Sequence, residues 1–285
     1  MLSKVLNYVL LVYRVRCFSE MYKVERVIIL AFDALEASLV EKWRLKYLLQ
    51  EYHGVYEAPK SPKYGKPHTP NAWTSFITGL PPEVHGVDDW WSFGRVLDWL
   101  RKHPPLSWIK GKRVLLRKLG INIKPKVVGN TALFVPAWNE PTEPREEYAI
   151  ALEKGLEELI KTVWKWHKIR KEELFKHLDG EWKLLMAWFD IADMFGHVCW
   201  YRCRNELFKA YLDLNSIAKK VREKVGDDTA VLIVSDHGMK GTRDGITGDH
   251  SPYGFWSLNV EPPLMPKKIT DFKPMIHKLL GISTG

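Results

Sequence analysis

Cysteine is scarce in this sequence. Only Cys17, Cys199 and Cys203 occur among its 285 residues. So sparse and odd a set argues against a disulfide framework and is typical of a protein kept in a reducing compartment. We therefore expect a cytoplasmic location, with Cys199 and Cys203 as free thiols that pack as small hydrophobic side chains. The alternative for these two residues is a thiolate metal ligand.

The sequence also lacks a long hydrophobic run. The apolar stretch at residues 5–13 is interrupted by Asn7 and closed by Arg14 and Arg16. It falls short of the ~20 apolar residues that a transmembrane helix needs. No small-residue cleavage site follows it, so a signal peptide is disfavoured. We interpret residues 1–20 as a peripheral extension and residues 21–285 as one domain, in which no internal repeat occurs.

Basic residues outnumber acidic ones. Lys and Arg number 43, Asp and Glu number 34, and the formal net charge is +9. This balance favours anionic substrates, among them phosphate esters, or nucleic acid. The basic side chains are spread through amphipathic stretches such as 161–176, which favours a solvated surface over a nucleic-acid-binding stripe. A small anionic substrate is therefore the expected partner, without a stable nucleic-acid partner.

Three short apolar runs have the composition of buried strands. They cover residues 27–32, 184–189 and 230–234, and a helical pattern follows the first of them at residues 37–49. Apolar residues make up 46% of the chain, which is ample for one large core. The pattern predicts an α/β fold with a mostly parallel, doubly wound sheet.

Metal-ligating side chains follow two of these runs. Asp33 ends the first run, Asp236 and His237 follow the last, and His250 comes a little later. In open α/β sheets, ligands bind at the carboxyl ends of the strands. Carboxylate oxygens and imidazole nitrogens are suitable ligands for a divalent cation. The structural alternatives are a helix cap for Asp33 and a polar strand-end turn for the others.

A hydroxyl group lies at a predicted helix start. Thr69 precedes Pro70, and the helix is predicted to begin there with Thr69 as its N-cap and to end at Gly79. The first turn of a helix offers free amides and a positive potential, which suit a phosphate group. The alternative is that Thr69 caps the helix and has no chemical role.

Together these elements resemble the type I phosphodiesterase and nucleotide pyrophosphatase branch of the alkaline phosphatase superfamily. The matching elements are Asp33, Thr69 before Thr78-Gly79, Pro82-Glu83-Val84-His85-Gly86-Val87, and Asp236-His237-Gly238. The resemblance predicts a further Asp-x-x-Gly-His run, which the chain has as Asp193-Met194-Phe195-Gly196-His197. It extends from about residue 21 to the C-terminus. It implies an alkaline-phosphatase-like, three-layer α/β/α fold with an inserted cap.

The resemblance also implies two divalent metal ions beside a nucleophile. One ion would be held next to the Thr69 oxygen by Asp33, Asp236 and His237. The other would be held by Asp193, His197 and His250. Mixed Asp and His ligands suit zinc best, with manganese or iron as alternatives. Thr69 would attack phosphorus and form a phosphothreonine or nucleotidyl-threonine intermediate.

The stretch 88–180 is predicted to contain the inserted cap that shapes the pocket. Candidate substrate-binding residues are Asn71, Trp90, Trp91 and Trp138, the tryptophans by stacking on a base or ring. The alternative for the tryptophans is burial in the core.

Other acidic residues qualify this interpretation. Asp88 and Asp89 stand where many relatives have a phosphate-binding Asn, which weakens any transfer of nucleotide specificity. Asp190 and Asp249 are candidates for supporting a ligating histidine.

These features predict a metal-dependent phosphoric ester hydrolase that cleaves phosphodiester or nucleotide pyrophosphate bonds. An alternative in the same superfamily is a phosphomonoesterase or phosphomutase, although these usually have a serine nucleophile and a long separate insertion. A sulfatase is disfavoured because no Cys/Ser-x-Pro-x-Arg run surrounds Thr69. The alternative of another class is a protein that binds the metals without turnover.

Overall fold

A five-stranded sheet lies at the centre of the protein. The structure is a computed structural model that describes residues 24–87, 91–92, 126–127 and 143–282. The strands are β1 (Arg26–Phe32), β2 (Tyr52–Glu57), β3 (Trp91–Ser92), β4 (Lys126–Val127), β5 (Leu184–Phe189), β6 (Thr229–Val234), β7 (Gly238–Gly241), β8 (Gly248–Ser251) and β9 (Tyr253–Leu258). The helices are α1 (Ala37–Lys42), α2 (Thr69–Thr78), α3 (Pro82–His85), α4 (Glu143–Lys154), α5 (Leu156–Leu178), α6 (Ile191–Cys199), α7 (Arg204–Lys224) and α8 (Phe272–Leu279).

Four strands of the central sheet run in the same direction. The strand order is β2-β9-β6-β1-β5, and β1 pairs in parallel with both β5 and β6. Only β9 runs the other way, antiparallel to β6 on one side and to β2 on the other. The sheet is therefore mostly parallel in strand direction, as predicted. Two small antiparallel pairs, β3–β4 and β7–β8, lie outside it.

Helices cover both faces of the sheet. Side chains of β1 alternate between two separate hydrophobic clusters, as the period of a strand requires. Ile28, Leu30 and Phe32 pack with residues of α5, α6 and α7. Val27, Ile29 and Ala31 pack with residues of α2 and α8. This arrangement confirms the predicted three-layer α/β/α class.

The helix predicted over 37–49 is shorter than its pattern indicates and is limited to α1. The following chain forms edge strand β2. Further on, α5 is one continuous helix, and Gly155, with a φ of 119°, separates it from α4.

Helix α5 belongs to the main helical layer, although it lies within the stretch predicted to contain a cap. Its residues Leu159, Val163 and Leu174 are buried in the same cluster as the β1 side chains. Most of the rest of that stretch, including Trp90 and Trp138, lies outside the described residues. The same is true of the predicted N-terminal extension. The inserted cap and the extension therefore stay predictions.

Cys199 and Cys203 form a disulfide, so the prediction of free thiols is wrong. The bond joins the last residue of α6 to the residue before α7, and it leaves neither sulfur as a thiolate ligand. The inference of a reducing compartment therefore loses its main support, and the cytoplasmic location stays an untested prediction. Among the described helices, none combines the length and the apolar character needed to cross a bilayer.

A polar contact joins α5 to α7 and gives a test of the fold. Asp213 Oδ2 lies 2.7 Å from His167 Nε2, and Asp213 Oδ1 accepts a hydrogen bond from Lys171 Nζ at 2.6 Å. Burial alone would raise the pKa of Asp213, but these two partners lower it to about 2. A lowered carboxyl pKa contributes stability that is complete above the unfolded-state pKa of about 3.9 and is lost as the pH falls below it.

We expect the stability difference between the wild type and Asp213→Asn to shrink as the pH falls from about 5 to about 3. The reason is that the unfolded wild-type chain takes up a proton at about pH 3.9, whereas the folded protein, in which the Asp213 pKa is lowered to about 2, does not, and the variant has no carboxylate to protonate. Urea unfolding at a series of pH values measures the difference. A difference that stays constant over this range would contradict the predicted contribution of Asp213.

Candidate metal centre and active site

The predicted site residues converge at the carboxyl-terminal ends of the parallel strands in the central sheet. Because β1 and β6 are neighbouring parallel strands, Asp33 after β1 and Asp236-His237 after β6 lie at the same edge. Thr69 is buried and is the first residue of α2, and His68 is the N-cap, so the N-cap predicted at Thr69 is wrong by one position. Sequence positions that are far apart therefore meet through the parallel pairing.

One group of ligand atoms surrounds His237. Its Nε2 lies 3.3 Å from Asp236 Oδ2 and 3.6 Å from Asp33 Oδ1, and all three side chains are buried. Thr69 Oγ1 lies 3.2 Å from the same Nε2 and 3.4 Å from Asp33 Oδ1. These atoms are close enough together to ligate one cation, with the Thr69 hydroxyl beside it.

A second group lies next to the first. Asp193 and His197 are one turn apart on α6, and His250 is on β8. Asp193 Oδ1 lies 3.3 Å from His197 Nε2 and 3.5 Å from His250 Nε2, and the two Nε2 atoms are 3.1 Å apart. The rings of His237 and His250 stack at 3.8 Å. His237 also lies within ligand distance of Asp193 and His250, so it stands between the two groups.

Backbone carbonyls orient all three imidazoles in the same way. The Nδ1 atoms of His197, His237 and His250 lie 3.0, 3.0 and 2.8 Å from the carbonyl oxygens of Gly248, Gly238 and Pro67. A carbonyl only accepts hydrogen bonds, so each Nδ1 carries the hydrogen. In the neutral ring this leaves the Nε2 lone pair free for a metal ion, and every Nε2 faces the cluster.

The carboxylates have buried oxygens without partners, which a bound cation could pair with. Asp193 Oδ1 and Asp236 Oδ2 are buried without a hydrogen-bond partner among the described residues. Burial, reinforced by the repulsion of Asp236, raises the pKa of Asp33 well above its usual value, and burial raises the pKa of Asp236 to about 7. A cation at this position would reverse both shifts. The donor set and these unpaired oxygens therefore fit divalent metal ions.

Burial and the neighbouring charges also shift the pKa values of the imidazoles. Burial lowers the pKa of His237 to about 3, aided by the charge of His250. Burial would also lower the pKa of His197, but the neighbouring Asp193 carboxylate outweighs it and raises the value to about 9. His237 is therefore neutral and can donate its Nε2 lone pair at any ordinary pH, whereas His197 must first release a proton.

Close backbone contact brings the two sides of the second group together. A Cβ added to Gly248 would lie 2.2 Å from the carbonyl oxygen of Gly196. Only glycine at position 248 allows α6 to approach β8 so closely, and the contact between His197 and the Gly248 carbonyl depends on that approach.

In the first ligand group, a backbone N–H supports Asp236. Ala34, which follows β1, has a φ of +56°, an uncommon conformation, and its N–H donates to Asp236 Oδ1 at 3.3 Å.

The structure assigns Asp190 a role different from the one predicted. Asp190 does not contact a ligating histidine. It forms a buried ion pair with Arg170 of α5, and the Tyr148 hydroxyl lies 3.4 Å from the same carboxylate. Asp249 pairs with Lys66 at 2.6 Å and accepts from the His250 backbone N–H.

The candidate substrate-binding residues are only partly described. Asn71 is buried in the first turn of α2, and its Nδ2 donates to the Val87 carbonyl. Trp91 is described only as part of the short strand β3, and Trp90 and Trp138 lie outside the described residues. The substrate-binding roles of these residues therefore stay predictions.

Sequence reasoning did not find Glu36. This residue follows Asp33 by three positions, and its carboxylate contacts both strands of the β7–β8 hairpin. The only signal in the sequence was its place before Ser38 at a helix start, and that pattern indicates a helix cap.

Comparison with known proteins identifies the family. The family model for type I phosphodiesterase/nucleotide pyrophosphatase matches residues 27–251, which include all six candidate metal ligands and Thr69. The chain belongs to this family. Family membership makes the protein a phosphoric ester hydrolase, and it confirms the resemblance drawn from the strand-end motifs. No curated protein sequence matches the chain.

Solved structures give a much more distant likeness. The alkaline phosphatase from the Antarctic bacterium TAB5 matches with 12% identity and a TM-score of 0.45, over 93% of this chain and 100% of that one. A variant of that enzyme with Mg bound in its M3 site matches with 11% identity, a TM-score of 0.44 and the same coverage. Likeness at this level is too remote to support a conclusion about the site.

We expect Zn²⁺ or Mn²⁺ to raise the melting temperature of the metal-free protein by about 5 °C at a free ion concentration of about a hundred times Kd. Asp193→Asn should abolish much of this rise, because it removes a carboxylate from the second group. Differential scanning calorimetry with and without the ion measures the effect.

Asp249→Asn is the matched control. It removes a neighbouring carboxylate that pairs with Lys66, while the new amide oxygen still accepts from the His250 backbone N–H. An equal loss of the metal-induced rise in both variants would show that general charge, and not ligation, causes the stabilisation.

Proposed function

We propose that the protein hydrolyses phosphodiester or nucleotide pyrophosphate bonds with Thr69 as its nucleophile. One observation carries this proposal. The Thr69 hydroxyl lies at the start of a helix, within 3.4 Å of Asp33 Oδ1 and 3.2 Å of His237 Nε2, and so beside the first ligand group. A hydroxyl is a poor nucleophile at neutral pH unless a neighbouring group stabilises its deprotonated form.

Two divalent ions would complete the site. Asp33, Asp236 and His237 would hold one ion next to the Thr69 oxygen, and Asp193, His197 and His250 would hold the other. When bound, the ions would lower the pKa of a nearby hydroxyl and neutralise charge on the phosphate oxygens. Zinc is the first candidate because three imidazoles accompany the three carboxylates, and manganese or iron would also suit this set.

The reaction has two balanced steps. The Thr69 oxygen forms a bond to phosphorus and loses its proton to solvent. The bond from phosphorus to the leaving oxygen breaks, and that oxygen keeps the bonding electrons and takes up a proton. In the second step, water forms a bond to the same phosphorus, the bond between phosphorus and Thr69 breaks, and the threonine hydroxyl regains a proton.

Helix α2 supports the charge that develops on the phosphate. Thr69 is its first residue, so the phosphate would face the positive end of a ten-residue helix. Pro70 has no N–H and therefore takes no part in that support. We also propose that a cap within 88–180 shapes the pocket and that Asn71, Trp90, Trp91 and Trp138 contact a small anionic substrate.

Removal of the Thr69 hydroxyl tests its role as nucleophile. Thr69→Ala should lower kcat by at least about a thousandfold, because it removes the attacking oxygen. Acid-quenched turnover followed by mass spectrometry should find a phosphoryl or nucleotidyl group on the wild-type peptide that contains Thr69. Thr74→Ala is the control, since Thr74 lies on the same helix and its hydroxyl donates to the Pro70 carbonyl. Full activity of Thr69→Ala would exclude Thr69 as nucleophile.

The second prediction concerns the substrate. A bis-aryl phosphate should be hydrolysed at least about ten times faster, by kcat/KM, than the matching mono-aryl phosphate. The comparison is made with zinc, with manganese and with a chelator, and the chelated enzyme should be inactive. A preference for the mono-aryl ester would instead indicate a phosphomonoesterase. No hydrolysis of either ester with any metal would favour a metal-binding protein without turnover.

A further inference from the structure

All the hydrogen-bonding positions of the Glu36 carboxylate are occupied, by groups from two different parts of the fold. Its Oε1 accepts from the backbone N–H and the hydroxyl of Ser38, at 3.2 and 2.8 Å, at the start of α1. Its Oε2 accepts from the backbone N–H of Met239 and the hydroxyl of Ser251, both at 3.0 Å. One carboxylate therefore joins the segment after β1 to both strands of the β7–β8 hairpin.

These contacts lie directly beside the candidate metal ligands. Met239 follows His237 by two positions and faces His250 across the hairpin, and Ser251 follows His250 directly. Glu36 itself is the N-cap of α1, three residues after Asp33. Its backbone N–H donates to the Tyr211 hydroxyl at 2.8 Å, which fixes the residue against α7. The carboxylate thus links the backbone of the first ligand group to that of the second.

The close packing around Glu36 is specific to this arrangement. A Cβ added to Gly238 would lie 2.3 Å from Glu36 Oε2 and 2.5 Å from Ser251 Oγ. The glycine after His237 therefore leaves room for the carboxylate between the two strands. Without that carboxylate, the hairpin would lose two of the hydrogen bonds that hold it to the segment after β1.

We propose that Glu36 is a positioning residue of the metal centre. Its carboxylate fixes the β7–β8 hairpin, and so fixes His250 of the second group relative to Asp33 and His237 of the first. This inference rests on the proposed metal centre. Glu36 itself would touch neither ion, since both of its oxygens are used by the four donors.

A carboxylate is required, and an amide cannot replace it. Each Glu36 oxygen accepts from one backbone N–H, that of Ser38 or that of Met239. In Glu36→Gln the side-chain NH₂ group must therefore face one of these donors, whichever way the amide is turned. If it faces Met239 the hairpin is pushed away, and if it faces Ser38 the start of α1 is disturbed.

The test measures metal affinity, which a purely structural contact would leave unchanged. Zn²⁺ binding to the metal-free protein is measured by competition with a chromophoric chelator, giving the number of ions bound and their Kd, alongside the melting temperature of the metal-free protein. The variants are Glu36→Gln, Ser251→Ala and Ser38→Ala. Glu41→Gln on α1 removes an equal charge from an exposed side chain and is the matched control.

We expect Glu36→Gln to weaken the binding of at least one ion by about 10- to 100-fold, as is usual when a residue that supports metal ligands is lost. Ser251→Ala should weaken it less, and Ser38→Ala and Glu41→Gln should leave Kd within about twofold of the wild type. Equal Kd values for Glu36→Gln and the wild type would overturn the proposal, even if the melting temperature falls.

Two other outcomes are also decisive. If Glu36→Gln does not fold, Ser251→Ala decides the question, since it removes one hairpin contact and leaves the charge in place. In that case, a Kd equal to that of Ser38→Ala overturns the proposal. If the wild type itself binds no zinc and no manganese, the proposed metal centre fails, and the role of Glu36 fails with it.

Discussion

The structure depends on the placement of three carboxylates at the carboxyl-terminal ends of the parallel strands, where they are largely buried. Asp33 and Asp236 follow adjacent strands and are almost completely buried, and Asp193 lies in the next turn of chain beyond β5. Removing such charges from water costs several kcal/mol each unless opposite charge compensates them. The apolar strands that form the core cannot pair in parallel without bringing these groups together. The fold thus concentrates buried negative charge that divalent ions would neutralise.

The surroundings of the cluster suit metal cations. All three imidazoles donate their Nδ1 hydrogens to backbone carbonyls, so every Nε2 atom faces inward. Burial raises the pKa values of Asp33 and Asp236. Despite burial, the Asp193 carboxylate raises the pKa of His197 to about 9. His237, whose pKa is lowered to about 3 by burial, keeps its lone pair free, and metal ions would displace the protons from the other groups. The combination of unpaired carboxylate oxygens and oriented imidazoles distinguishes this cluster from a buried polar core.

The sequence predicted the parts of the fold that carry a strong local pattern. The runs that became β1, β5 and β6 are continuous and apolar, and each ends where a polar residue begins, so both the strands and their terminal residues could be found. The hairpin β7–β8 was missed because its strands have four residues each and contain glycine in place of an apolar run. Strand β2 was missed because its exposed edge position leaves most of its side chains partly or fully exposed. Contacts between distant residues, such as those of Glu36, leave no periodic trace in the sequence.

Asp190 shows how a fourth carboxylate is kept out of the metal centre. It lies at the end of β5, at the same end of the sheet as the others, and the sequence predicted that it supports a ligating histidine. Arg170 of α5 pairs with it in a buried position, and its guanidinium lies 5.0 Å over the Trp188 ring. The pair offsets the negative charge of Asp190, and Asp193, three residues later on α6, is the carboxylate that faces the histidines. Helix α5, although it lies within the stretch predicted to hold a cap, therefore influences the charge of the site.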